Sequence, residues 1–325
     1  MSAQNSSGAQ FELRGLMQRS FEYIFQNIER EKFEQEQKGC EVQYLVKASY
    51  LEIYNEQIMD LLDPQSINLH VREDIKKGVY VESLQEEAVT CVKDMINLIT
   101  RGARNRHVGS TIMNKESSRS HSVLTTSIEC KILNDQGNWQ MKSSRFHIID
   151  LAGSERAKNT NSEGQRLKEA GMINKSLSAL GIVINSLVEI SEGKNRHVHY
   201  RDSKLTFLLR DSLGGNSKTT IIAAISPAQA NGGETLSTLK FAQRAKLIKN
   251  KAVINEESSS TIHMLKQEIR RLKKELAESA QARMRLQDAL SNQTNEEYKD
   301  LVCVLCKGKL NGDDEVDLEF DEQPA

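Results

Sequence analysis

Proline is scarce in this chain, with three among 325 residues, at positions 64, 227 and 324. Helices are therefore rarely interrupted, since proline removes a backbone donor and clashes with the preceding turn. Long apolar runs are missing as well. None approaches the roughly 18 residues that a membrane span requires, and Met1 to Ser7 lacks the apolar stretch of a secretory signal. No membrane partner is expected, and the expected location is the cytoplasm. Cysteine is sparse and scattered, at 40, 91, 130, 303 and 306, which excludes a disulfide framework and suits a reducing compartment. Cys303 and Cys306 alone have metal-ligand spacing. A four-coordinate zinc site needs two more Cys or His ligands, and none follows in the acidic tail, so the pair reads as two incidental thiols. A large charge excess is also absent: 44 basic residues stand against 45 acidic ones, a net charge of −1. That balance argues against a nucleic-acid partner on bulk grounds and leaves room for local patches.

What is present is an ordinary globular composition, 38% hydrophobic, in a chain long enough for one large domain and an extension. Apolar, β-rich runs at Val42 to Tyr54, Val123 to Leu133 and Phe146 to Leu151 alternate with helical patterns at Gln18 to Gln37 and Met172 to Ile190, which predicts a layered α/β domain. Asn134 to Gly137 carries hairpin-turn chemistry. A further buried strand is expected from Thr219 to Ser226, closed by Pro227. Beyond Asn250 the composition turns polar. Ile262, Leu265, Ile269, Leu272 and Leu276 then repeat at steps of three and four, and Leu286 and Leu290 resume the stripe after Ser279 and Arg283. A short coiled coil and a helix packed on its own domain both fit that spacing. From Asp313 to Glu322 seven acids mark a disordered tail.

Two motifs carry chemistry. Residues 114 to 121 read Asn114-Lys115-Glu116-Ser117-Ser118-Arg119-Ser120-His121, and Asp150-Leu151-Ala152-Gly153-Ser154-Glu155 follows directly on the apolar run from Phe146. A buried strand ending in Asp with Gly three positions later is how a P-loop NTPase sets a carboxylate near Mg²⁺ and a backbone N–H near the γ-phosphate. The loop that holds the other phosphates is missing, because no G-x-x-x-x-G-K-[ST] occurs in the sequence. Gly214 to Thr219 is glycine-rich but lacks the spacing that lets successive N–H groups encircle a phosphate.

These motifs, with Tyr50 to Ile58, Ile173 to Leu180, Tyr200 to Thr206, Leu213 to Thr219 and Glu234 to Leu239, resemble the kinesin motor domain from about Leu13 to about Asn255. Phe207 to Leu213 and Phe241 to Lys251 are most similar to the mitotic spindle kinesins of class twelve. In the family, the cover strand, first sheet strands, adenine-contacting segment and P-loop precede the point where this resemblance begins. The chain thus reads as an N-terminally truncated motor. Its expected fold class is α/β, a partial kinesin-type P-loop NTPase motor domain with a mixed central sheet and helices on both faces. The expected order is a polar leader at 1–12, the partial motor at 13–246, a neck linker at 247–260, a helix or short coiled coil at 261–291 and the tail at 292–325.

The resemblance implies ATP and Mg²⁺ as cofactors, microtubules as partner and the cytoskeleton, the mitotic spindle included, as place of action. It implies that Asn114, Ser117 and Ser118 approach the nucleotide, that Ser118 and Asp150 hold Mg²⁺ indirectly, that the Gly153 N–H senses the γ-phosphate, and that Arg119 and Glu155 pair when the site closes. Without the cradle, little or no ATP hydrolysis is expected, because phosphoryl transfer depends on positioning and electrostatics. The strands left behind are expected to expose apolar faces. The tubulin-facing segments are better represented. Lys158, Arg166, Lys168 and Lys175 lie with Arg156 from 156 to 175, and Arg196, Arg201, Lys204 and Arg210 lie with Lys194 from 194 to 210. A homodimer or heterodimer through 262–290 is a further expectation. Docking of the neck linker is expected to be weak, its cover-strand partner being in the missing region. A nucleotide-independent microtubule-binding or dominant-negative isoform, and a gene-model fragment that does not fold, are the rival readings.

Overall fold

The computed structural model describes residues 14–74, 78–112, 119–133, 138–154, 165–258, 269–281 and 283–285. The chain forms two units, residues 1–259 and 260–325. In the first, three long strands make the frame: β1 (Glu41–Tyr54), with β7 (His121–Leu133) and β8 (Trp139–Asp150). Between them in sequence come β2 (Gln57–Asp60), β3 (Ile67–Leu69), β4 (Val71–Asp74), β5 (Gly78–Val81) and β6 (Glu87–Ala88). A last strand, β9 (Asn255–Ser258), completes the set. The sheet order is β3-β2-β1-β7-β8-β9, with β6 also on β1, while β4 and β5 form a separate hairpin. Every pairing among the described residues is antiparallel. The expected runs at Val42, Val123 and Phe146 are thus the centre of the sheet. The expected turn at Asn134 to Gly137 lies outside the described residues, between the paired ends Leu133 and Trp139.

The alternation of side chains along a strand gives the sheet two apolar faces, and helices cover both. On one face, α1 (Leu16–Glu36) and α2 (Val92–Ile112) press Phe21, Phe25, Ile28, Met95 and Leu98 against Val46, Ala48, Tyr50 and Leu124. Phe21 is 1% exposed and meets Phe146 edge to face, ring centroids 6.2 Å apart. On the other face, α3 (Gln165–Ser191) and the short α4 (Lys204–Leu208) place Leu180, Val183, Ile184, Leu187 and Leu205 against Leu51, Ile53, Ile58 and Val123. Helix α5 (Gly232–Ala245) adds Ala245 to this side. Among the described residues no helix is long and apolar enough to cross a membrane.

Thr219 to Ser226 corrects the sequence reading, which expected a buried strand there. The segment has no regular secondary structure, and Ile221, Ile222 and Ile225 are exposed. Its composition suits a strand, but strand conformation is held by ladder hydrogen bonds to a neighbour, and no strand among the described residues pairs with it. In the second unit, residues 269–281 are helical, and Ile269, Leu272 and Leu276 of the apolar stripe are exposed. Ile262, Leu265, Leu286, Leu290, the acidic tail and the Cys303–Cys306 pair fall outside the described residues.

Packing between α2 and the sheet is close enough to require glycine at one position. A Cβ on Gly102 would stand 2.2 Å from the Tyr50 ring, and Tyr50 is itself buried in the core. Gly102→Ala is therefore expected to destabilise the fold by about 1–3 kcal/mol through overpacking, although alanine is the better helix former. Urea unfolding of the two proteins measures the difference, and equal midpoints would contradict the close approach.

Candidate functional site

The ends of β7 and β8 meet at one rim of the sheet, where Ser122 lies opposite Asp150. This register brings the start of β7 and the residues that follow β8 together. Asp150 is mostly exposed, and its carboxylate accepts from the Arg106 guanidinium at 3.3 Å. Gly153 is half-buried three residues on, and Arg119, ahead of β7, is half-buried. Asn114, Ser117, Ser118 and Glu155 lie outside the described residues, so the pairing expected between Arg119 and Glu155 falls there too.

Arg106, on α2, organises this rim. Its side chain is 13% exposed and donates to Glu52 on β1 at 3.2 Å, to Ser122 Oγ at 3.3 Å and to the Ser120 carbonyl at 3.0 Å. Ser120 donates its hydroxyl to Glu52 at 2.5 Å. Glu52 is 5% exposed, an environment that holds a carboxylate only when it is paired. Sequence reading passed over Arg106 and Glu52. An acid set in the apolar stretch from Tyr50 to Tyr54 was the available signal, since a buried charge requires a partner.

His121 links the same rim to α3. The ring is 2% exposed; Ala152 N–H donates to Nδ1 at 2.9 Å, and Nε2 lies 2.7 Å from Ser176 Oγ. Burial, reinforced by the Arg106 charge, lowers its pKa to about 4. His147 on β8, bonded to Thr125 Oγ1 at 2.9 Å, is lowered to about 4 by burial and by Arg145.

The glycine-rich segment at 214–219 is engaged by the chain itself. Gly214 has φ +85°, and a Cβ there would meet Leu187 at 2.7 Å; a Cβ on Gly215 would meet the Asp211 backbone at 2.7 Å. The Gly214 N–H donates to Asn250 Oδ1 at 2.8 Å, and Asn250 Nδ2 donates to the carbonyls of Ser212 and Ser217 at 3.0 and 2.9 Å. Asn216 accepts from Val253 N–H at 2.6 Å and donates to Asn255 at 2.8 Å. Lys251 N–H donates to the Gly215 carbonyl at 3.0 Å, and β9 then pairs with β8 from Asn255↔Ser143 to Ser258↔Gln140. The segment expected to dock weakly is therefore held along most of its length. Two asparagines and the open edge of β8 supply the contacts, which sequence reading had sought only in a cover strand.

These observations test the fit of Mg²⁺ and a nucleotide. An exposed carboxylate at Asp150 beside the Gly153 turn is a hard oxygen donor suited to an outer-sphere contact with Mg²⁺. Gly214 to Thr219, whose glycines serve packing and whose polar groups hold the 250–255 segment, does not fit as a cradle for the remaining phosphates.

The basic residues are distributed unevenly. Lys175 is exposed on α3. Arg166 and Lys168 belong to the same helix, and Lys158 lies outside the described residues. Arg196 pairs with Glu189 at 3.2 Å, and Lys204 Nζ donates to the Leu69 carbonyl at 3.3 Å. Arg201 and Arg210 both reach Glu73 on β4, at 2.9 and 2.5 Å. Arg210 first, then Arg201, hold the Glu73 carboxyl below its ordinary pKa. Three residues expected to face an acidic partner, Arg196, Arg201 and Arg210, are thus already paired within the chain.

A layered α/β domain whose sheet rim joins a strand-end Asp and the Ala152–Gly153 segment to the start of β7 defines a P-loop NTPase-type motor domain. The kinesin motor domain family model matches residues 4–248, and the chain belongs to the kinesin family. It is 54% identical to human kinesin-like protein KIF15 over 86% of this chain and 20% of that protein. It is 56% identical to kinesin-like protein KIN-12D of Arabidopsis thaliana over 81% of this chain and 9% of that one. The chain therefore spans a fifth or less of these curated relatives. Two solved structures are similar. One is described as a fast kinesin, 48% identical with TM-score 0.65, covering 75% of this chain and 65% of that one. The other is a KIF14 dimer with AMP-PNP in complex with a microtubule, 40% identical with TM-score 0.66, covering 75% and 68%.

Two outcomes follow from the rim. Arg106→Ala leaves Glu52 buried and unpaired, so a loss of about 3–5 kcal/mol is expected in urea unfolding; the double variant with Glu52→Gln should lose less than the two single losses combined. The histidines give a pH dependence. Both have folded-state values below the unfolded 6.5, so the unfolded chain binds more protons between pH 6.5 and 4. Stability is full above about pH 6.5 and falls as the pH drops toward 4, and His147→Gln should flatten part of that slope in thermal unfolding against pH.

Proposed function

We propose that this chain is a microtubule-binding segment of a kinesin-type motor, carrying the two nucleotide-sensing loops and the track-binding helices of an ATP-driven microtubule-based movement protein. The observation that carries the reading is the junction at the sheet rim, where Asp150 at the end of β8 lies opposite Ser122 and Ala152, next to Gly153, donates to His121 at the start of β7. The kinship with a kinesin described in complex with AMP-PNP and a microtubule supports it. In this reading Asn114, Ser117 and Ser118 approach the nucleotide and Asp150 acts on Mg²⁺ through water. The Gly153 N–H reports the γ-phosphate, and Arg119 and Glu155 latch the loops. Lys158, Arg166, Lys168, Lys175, Arg196, Arg201, Lys204 and Arg210 face the acidic surface of tubulin, with cytoplasmic microtubules, including those of the spindle, as the place of action. Residues 262–290 pair two chains through their apolar stripe.

A second reading has its own support. The 325 residues contain no G-x-x-x-x-G-K-[ST], and the glycine cluster at 214–219 is occupied by Asn250 and Leu187. Microtubule binding by this chain is then independent of nucleotide, and ATP hydrolysis is slight, since losing even one preorganised electrostatic donor costs an enzyme about 10²–10³ in rate.

Co-sedimentation of the chain with microtubules, with ATP, with a non-hydrolysable analogue and without nucleotide, separates the two. Equal binding in all three conditions, weakened by added salt and weakened several-fold by Lys175→Glu, is the expected result. Release specific to ATP would establish a working nucleotide site and set aside the second reading. Absence of binding in every condition would refute both.

A further inference from the structure

We propose that His121 is a positioning residue that couples the turn after β8 to helix α3, so that displacement of one is transmitted to the other through a single imidazole. The proposal rests on the reading above for what is coupled, a phosphate-sensing turn and a track-facing helix. The coupling itself rests on geometry alone.

The backbone of His121 is fixed by the sheet, opposite Ile53 on β1. Its ring then makes one bond on each side. Ala152, between Asp150 and Gly153, donates its N–H to Nδ1 at 2.9 Å. An acceptor at Nδ1 leaves the proton of a neutral ring on Nε2, which faces Ser176 Oγ on α3 at 2.7 Å. Both partners are buried, Ala152 at 5% and Ser176 at 3% exposure, so water does not replace either bond without opening the core. The ring is planar and has only two torsions. A rotation that follows Ala152 therefore withdraws Nε2 from Ser176, and a shift of α3 pulls Nδ1 from Ala152. Lys175, next to Ser176 on α3, is exposed, so the helix carries the displacement to a basic surface residue.

The test uses the full chain and substitutions that divide the two bonds. His121→Asn sets an amide near the Nδ1 position and keeps an acceptor for Ala152, without reaching Ser176. His121→Gln reaches the Nε2 position and keeps Ser176 without meeting Ala152. Ser176→Ala removes one partner and leaves the Ala152 bond formally intact. Amide hydrogen exchange at Ala152 and along α3 reads the effect. Ser176→Ala is expected to speed exchange at Ala152 by about 5-fold or more, the lower range of measured site-to-site coupling. In the His121→Asn background the same change at Ser176 should leave Ala152 unaffected. Exchange at Ala152 unchanged by Ser176→Ala would overturn the proposal. So would a nitrogen-15 spectrum of the wild-type imidazole with the proton on Nδ1, a measurement that stands even if the variants do not fold. Microtubule co-sedimentation of Ser176→Ala reads the other half: normal exchange coupling with no microtubule binding by the wild type would refute the track reading and leave the junction in place.

Discussion

The antiparallel ladder between β1 and β7, running from Glu41↔Leu133 to Ile53↔His121, is the constraint on which the rest of the structure depends. A one-residue slip would turn every side chain of one strand to the opposite face. Leu124 would leave the α1 and α2 side, Val123 would leave the α3 side, and both cores would lose members at once. The same register delivers Glu52 to Arg106 and His121 to Ser176. Sheet packing and rim chemistry are therefore specified together, and a substitution that disturbs one disturbs the other.

Much of this frame was legible in the amino-acid sequence. The long strands announce themselves as β-branched and aromatic runs, and α1 and α3 through their helical spacing, because burial on a sheet face imposes periodicity directly. Asp150 and Gly153 were legible as a motif. Arg106, Glu52, His121 and Ser176 were less so, since their roles come from side chains that meet across the sheet rim, with Glu52 and Arg106 separated by 54 positions. Asn216 and Asn250 escaped notice for the same reason. Thr219 to Ser226 was misread because strand character depends on a partner as well as on composition. Its isoleucines satisfy every local preference of a strand, yet ladder hydrogen bonds form between two chains segments, and periodicity describes only one of them.

The rim joins two kinds of stabilisation with different reach. Arg106 and Glu52 form a charged contact whose neutralisation is the condition for burying either group. His121 joins β7, the residues after β8 and α3 through two directional hydrogen bonds and no net charge, so its hold on them depends on bond geometry and not on an ion pair. Together they set the end of β7 and the turn after β8 as one body before any ligand is considered.

Glu73 gives the β4–β5 hairpin an unexpected standing in the energetics of association. By occupying Arg201 and Arg210 it acts as an internal competitor, tethered at a high effective concentration. Any acidic surface that engages those guanidiniums exchanges one ion pair for another and does not create a new one. The net gain from the two arginines is therefore smaller than their number suggests. The affinity responds to ionic strength less steeply than a count of basic residues implies, because screening weakens the bond that is lost along with the bond that is made.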